Sequence, residues 1–447
     1  MKARLLRFFV QVANAFWLVP GLIAVALAGL GLLVVRVQAL DLLPSWLPDS
    51  WVYGGGDTGA RTLLGAIASS TIAVAGTLFS ITIAALTLAS SQMGPRLLGN
   101  FMRDRGNQTT LGVLLGTFGY ALVVLRSVRG GEEEAFVPTL GVTVGLALAG
   151  GCIALMIYFV HHVASRINVG TVIDLVHDDV VRQLRRVTSE TPPRPQDDPV
   201  DWNVADTVRV RGSGYLQQVD GAALVDWADE HDCVVTLLKR PGEFVLQGAP
   251  LALVSRAPDR AEEALWSRIA LSRQAGSPAD LIFPIEQLVE VAVRALSPGV
   301  NDPRTAIAVL DRLGALLAWL ADRHIDDGVR ECDGVVRLRL RPLAYEDITD
   351  AMFDMIREHA GGSPSVLLHL VGLLTEVARV ERDPARLEAL RAKARDAHAQ
   401  GQAMFENAHD REALAAAWSS FLSVSADDGS KPGPRREPGA TPRLPRA

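Results

Sequence analysis

The sequence predicts an α-helical membrane domain of four transmembrane helices followed by a cytoplasmic, mainly helical α+β domain. Three observations carry that reading. Four apolar stretches crowd into the first third of the 447 residues, mixed charge takes over after about Arg166, and strand-like alternation is concentrated between Thr207 and Val254. A chain that is 49% hydrophobic yet bears 44 Lys and Arg against 50 Asp and Glu is too greasy for one soluble class and too charged for a purely membrane one.

The spans lie at about 17–35, 62–91, 110–125 and 136–160. Since ~20 apolar residues cross a bilayer, the first, second and fourth suffice, while the third needs Arg126 to snorkel to the interface. Lys2, Arg4 and Arg7 precede the first span as they would in a signal peptide, but its apolar core outruns the roughly 7–15 residues of a signal h-region. It reads as an uncleaved anchor. Basic residues near span ends favour the cytoplasmic side. The N-terminal segment and the connection holding Arg96, Arg103 and Arg105 are basic, whereas the third connection holds Glu132, Glu133 and Glu134, so both termini are expected in the cytoplasm.

Residues 1–166 thus form the transmembrane domain, 167–424 the cytoplasmic domain, and 425–447 a disordered tail too poor in apolar residues to fold. Val169, Val172, Ile173 and Val176 have helical spacing and extend the fourth span into a stalk. The small β-containing module at 207–254 alternates Val208 and Val210 with polar neighbours and turns at Pro241-Gly242; Val335 to Leu340 is the expected additional strand. Helices are expected over 260–272, 284–296, 303–322, 348–359, 363–379 and 384–408. Cys152, Cys233 and Cys332 show neither CxxC nor metal-ligand spacing. A net charge of −6 spread over both signs speaks against nucleic acid as a partner.

The second span carries the main functional feature. Ser69, Ala73, Thr77, Ser80, Ala84, Thr87 and Ser91 recur at steps of three and four along an uncharged run, which places them on one helical face. Such a stripe permits close packing against another helix, and in an oligomer it can equally line a water-filled path. Gly112 with Gly116, and Gly141 with Gly145 and Ala149, are packing signals of the same kind in the third and fourth spans. Tyr120 is the polar aromatic of the third span. Arg96, Arg103 and Arg105, directly after the striped helix, suit an interfacial helix, an inner gate or a lipid-headgroup site.

A second focus is the run from Ser297 to Ala306 between two amphipathic helices. Gly299 can supply a left-handed turn, Asp302 an N-cap and Pro303 the first helical position, while the helix-start amides with Ser297, Asn301 and Arg304 could hold an anion. The segments Phe79-Ser80-Ile81-Thr82, Ala89-Ser90-Ser91-Gln92, Pro95-Arg96-Leu97-Leu98 and Phe101-Met102-Arg103-Asp104, with the later Ala295-Leu296-Ser297-Pro298-Gly299-Val300-Asn301-Asp302-Pro303, resemble the bacterial predicted membrane protein family known as domain of unknown function 2254. The resemblance runs from the first span to the helices near Arg379 and implies an inner-membrane location. It brings no catalytic residue to carry over.

Enzyme motifs fail on spacing. Gly212-Ser213-Gly214 lacks the lysine of a P-loop and the third glycine of a dinucleotide fingerprint. His161-His162 point to different sides of a helix, and Asp174, His177 and Asp178 suit a solvated surface better than a metal site. The expectation is no enzyme, no cofactor and no metal. The expected partners are the lipid bilayer and further copies of the chain. Two functions stay open: a channel-like or transport-related protein with a cytoplasmic regulatory domain, and a membrane-anchored sensor or scaffold that binds a small ligand or a cytoplasmic protein without transport.

Overall fold

The computed structural model describes residues 17–40, 52–93, 104–130, 136–166, 169–193, 200, 202–277 and 279–426. Arg96, Arg103, Glu132 to Glu134 and residues 427–447 lie outside the described residues. The chain divides into two units, Met1–Val172 and Ile173–Ala447.

In the first unit four helices are long and apolar enough to cross a membrane: α1 Leu18–Ala39, α2 Asp57–Met93, α3 Arg105–Ser127 and α4 Thr139–Arg166. Of the most apolar part of α3, 50% is buried, against 17–28% for the others, so α3 is the centre of the bundle. Its glycines explain the close approach. A Cβ at Gly112 would meet the Pro20 backbone of α1 at 2.9 Å, and one at Gly116 would meet Leu27 at 2.6 Å. On the other side, the Tyr120 hydroxyl donates to the Gly141 carbonyl of α4 at 2.9 Å, which satisfies a fully buried phenol. The apolar face of α2, Leu64, Ile67, Ala68, Ala75 and Leu78, closes the bundle. At one end Gln38 donates to the Val137 carbonyl and Thr139 hydroxyl, both at 3.0 Å, and Arg61 donates to the Val128 carbonyl at 3.0 Å.

The third span starts earlier than its apolar run. Asp104 caps α3 by accepting from the Gly106 amide at 2.7 Å, so the polar residues 105–109 already belong to the helix.

The second unit is mostly helical with some sheet. Helix α5 Val169–Val187, which begins before the division, has the helical spacing expected of it and buries Ile173, Val176, Val180 and Leu184. It leads to β1 Thr188–Ser189. There follow β2 Asp206–Arg209, β3 Gly214–Val219, α6 Gly221–Glu230, β4 Val235–Leu237, β5 Phe244–Val245, β6 Pro250–Val254, α7 Ala261–Arg268 and β7 Ile269–Ser272. Then come α8 Ile282–Ala295, α9 Pro303–Leu320, β8 His324–Ile325, β9 Val329–Cys332, β10 Val335–Arg339, α10 Tyr345–His359, α11 Pro364–Val380, α12 Pro384–Met404 and α13 Ala408–Ala426. A five-stranded sheet runs β2-β6-β4-β10-β9, with β10 parallel to β4 and the other pairs antiparallel. A three-stranded antiparallel sheet runs β5-β3-β7, and β1 pairs with β8.

The core of this module, Leu216, Leu224, Trp227, Val235, Leu251 and Leu338, takes its last member from β10, the strand expected to join from a distance. One expected helix is shorter than its pattern. Residues 269–272 leave α7 and pair with β3 instead, because Leu271 opposite Leu216 covers the sheet's apolar face. Helix α13 continues the helical layer past Met404, and its Leu414 and Phe421 are buried.

Replacing Gly112 by Val should destabilise the protein by about 1–3 kcal/mol through overpacking against the Pro20 backbone. Gly119→Ala, whose new methyl would meet only Ala28 at 3.6 Å, should leave the thermal midpoint in detergent unchanged or raise it. Equal losses for both variants would refute this account of the α1–α3 contact.

Candidate functional site

The striped helix presents its small residues outward. Ser69, Ala73, Thr77, Ser80, Ala84 and Thr87 are all exposed, while the opposite face of α2 is the buried one. Among the described residues the stripe packs against no helix of the bundle. Its hydroxyls bond their own helix: Ser69 donates to Ala66 at 3.2 Å, Thr77 to Ala73 at 3.1 Å, Ser80 to Gly76 at 3.0 Å and Thr87 to Ile83 at 2.9 Å. Each proton is therefore used internally, and each oxygen keeps acceptor capacity toward the outside. Ser91 continues the helix, and its side chain lies outside the described residues. A Cβ at Gly65 or Gly76 would meet nothing within 4 Å, in contrast to the filled positions at Gly112, Gly116 and Gly141.

Past the far end of α2, Arg105 is exposed at the first position of α3. Beside it the structure brings together a pair that sequence spacing does not reveal. His162 of α4 bonds the Asp104 carboxylate at 2.8 Å, with side-chain exposures of 15% and 5%. The imidazole also stacks on Tyr158. Next to this pair Asn107, Gln108 and Thr110 are buried, an unusual polar content for a helix of this kind.

The Ser297 to Ala306 junction is a helix connection closed by its own side chains. The Asp302 carboxylate accepts from the amides of Arg304 at 3.1 Å and Thr305 at 3.3 Å, and from the Thr305 hydroxyl at 2.6 Å. The site at which an anion would bind is thus occupied by an anionic side chain. Ser297 donates to the Arg294 carbonyl at 2.6 Å, while Gly299 and Arg304 are exposed. The left-handed residue is Asn301, at φ 50°, and not Gly299 as the turn chemistry suggests; asparagine tolerates this conformation. The Thr305 hydroxyl, and then the two amides, hold the Asp302 carboxyl below its usual range.

A family model described as Predicted membrane protein (DUF2254) matches residues 13–376. The chain belongs to that family. This DUF2254 protein is similar to the uncharacterized protein MT1328 of Mycobacterium tuberculosis (strain CDC 1551 / Oshkosh), 31% identical over 411 residues, which is 85% of this chain and 75% of the relative. The uncharacterized protein Mb1321c of Mycobacterium bovis shows the same identity and the same shares. No solved structure matches. The residues matched by the family model take in all four apolar helices and the Ser297 to Ala306 junction, and they end within α11.

In the second unit of the DUF2254 protein, Asp280 is a half-buried carboxylate that sequence reasoning missed. Its signal was an Asp two residues ahead of an apolar helical run. It caps α8 through the amides of Ile282 at 2.9 Å and Phe283 at 3.4 Å, and its side chain fills the space left by the absent Cβ of Gly242, φ 97°. Burial pushes its pKa up to about 6, with Glu286 adding to the rise and the two amides and Arg240 opposing it. Asp174 accepts from Arg312 at 2.9 Å, and His177 is buried, which together with Arg312 lowers its pKa.

Removing the Asp302 cap by Asp302→Ala should cost about 0.5–2 kcal/mol in unfolding experiments. Asp280 affects the pH dependence with the opposite sign from an ordinary paired carboxylate. Its pKa lies above 3.8 in the folded state, so its contribution to stability is full below that value and is lost as pH rises through about 6. Asp280→Asn, which keeps an acceptor oxygen for the cap, should raise the thermal midpoint relative to the parent at neutral pH. The two proteins should converge below about pH 4, and parallel profiles would refute the assignment.

Proposed function

We propose that this DUF2254 protein is a channel-like or transport-related homo-oligomer of the bacterial inner membrane, in which copies of α2 line or support a hydrated path and the second unit regulates it from the cytoplasm. The observation that carries the reading is the outward stripe of α2. In lipid an exposed row of Ser, Thr, Gly and Ala gains nothing from acyl chains that a leucine row would not gain better, whereas it permits close approach of another helix. Its hydroxyl oxygens, their protons already donated, offer acceptors to water or to a cation. The open space over Gly65 and Gly76 leaves room for a second copy to approach closely. The basic residues before α1 and between α2 and α3 support a cytoplasmic placement of both termini and of the second unit.

Reconstituted protein should conduct ions or a small solute. Ser80→Leu and Thr87→Leu should each lower that flux by about tenfold, the effect of ~1.4 kcal/mol on a barrier. Cysteines placed at Thr77 or Ser80 should form disulfides between copies in native membranes, whereas cysteines on the buried face should not. Absence of flux in the parent, or full flux in both leucine variants, refutes the transport reading, and cross-linking without flux leaves an oligomeric sensor or scaffold as the function.

A further inference from the structure

We propose that the first unit holds a buried water molecule at the N-terminal end of α3, bound by the side-chain amide of Asn107. Asn107 is 4% exposed, and its Oδ1 has no hydrogen-bond partner among the described residues. The residue lines a cavity of about 10 Å³ whose other walls include Leu78 and Thr82 of α2, Thr110 and Leu111 of α3, and Phe159 of α4. That volume is about what one water needs.

Among the described residues the polar walls supply no donor to the amide oxygen. The Thr82 hydroxyl donates to the Leu78 carbonyl at 2.8 Å and the Thr110 hydroxyl to the Gly106 carbonyl at 2.9 Å, so both present oxygens that accept only. The neighbouring pair is equally committed, with Asp104 bound to the Gly106 amide and to His162. A dry cavity would leave a carbonyl oxygen buried and unpaired, the expensive state for a polar group. A water completes it, donating to Asn107 and, with its second proton, to a threonine oxygen.

A bare cation is the poorer occupant. Hard cations require a shell of oxygen ligands, and Leu78, Leu111 and Phe159 offer none. The site joins residues of α2, α3 and α4 at the end of the unit where Asn107, Gln108 and Thr110 are buried. The inference concerns the single chain and holds whether or not the protein transports anything.

Radiolytic labelling by short X-ray pulses tests it on the full-length protein in lipid nanodiscs, in water enriched with oxygen-18. The expected result is oxygen incorporation at Leu111 and Phe159, with exchange slower than at the exposed Met355. Asn107→Leu, which removes the amide and fills the void, should abolish labelling at Leu111 and Phe159 and leave Met355 unchanged. Absence of label at both walls in the parent overturns the proposal, as does label that survives Asn107→Leu. Label that rises when sodium is replaced by choline also overturns it, because an ion would then be the occupant. If Asn107→Leu lowers the thermal midpoint of the protein, Asn107→Val is read by the same criteria, and the parent measurement stands alone in either case.

Discussion

The contact between α1 and α3 is the constraint on which the membrane-type unit depends. Acyl chains compete with apolar side chains on equal terms, so helices there stay together through close backbone approach and hydrogen bonds rather than through exclusion from water. Gly112 and Gly116 let α1 come within reach of the α3 backbone, and Tyr120 ties the opposite side of α3 to α4 at Gly141. With α3 surrounded in this way, α2 buries Leu64, Ile67 and Leu78 and leaves its small-residue stripe outside, beside Ile72, Phe79, Ile81 and Ile83. The outward stripe therefore follows from the way the centre is filled.

The second unit meets a different demand, the burial of charge. Lys393, at 11% side-chain exposure, reaches Asp354 at 2.7 Å and Asp350 on α10 from α12. Arg386 donates to the carbonyls of Leu320 at 3.1 Å and Arg323 at 2.9 Å while lying over the Tyr345 ring. Arg240 joins Glu243 beside the Gly242 turn to Asp347 at the start of α10, at 3.1 and 2.6 Å. Such pairs add little net energy against the cost of desolvation, but breaking one leaves a lone charge inside. Their value is directional, since each fixes which elements meet.

Apolar length made the spans legible in the sequence, and β-branched alternation made β2, β4 and β10 legible. Where the reading failed, the deciding partner was distant in sequence. Residues 269–272 continue the helical spacing of α7, and only β3, some fifty residues earlier, turns them into a strand. The start of α3 was hidden because Asn107 and Gln108 look like loop residues until Asp104 is seen to cap them. Asp104 and His162 are separated by 58 positions, and no local rule joins them. The Ser297 to Ala306 junction was half legible: the Asp302 cap and Pro303 were visible in the residues, but the left-handed position fell two residues later than the glycine suggested.

The self-bonded hydroxyls of α2 have a mechanical consequence. A helix face whose polar atoms need a partner is pinned in register, because sliding by one turn would strand them. On α2 every outward hydroxyl for which a bond is described carries that bond along with the helix. The helix has 37 residues, about 55 Å at 1.5 Å per residue, against a hydrocarbon layer of ~30 Å. It can tilt or shift by a turn in the bilayer without exposing an unpaired donor, so its outer face is a bearing surface rather than a lock.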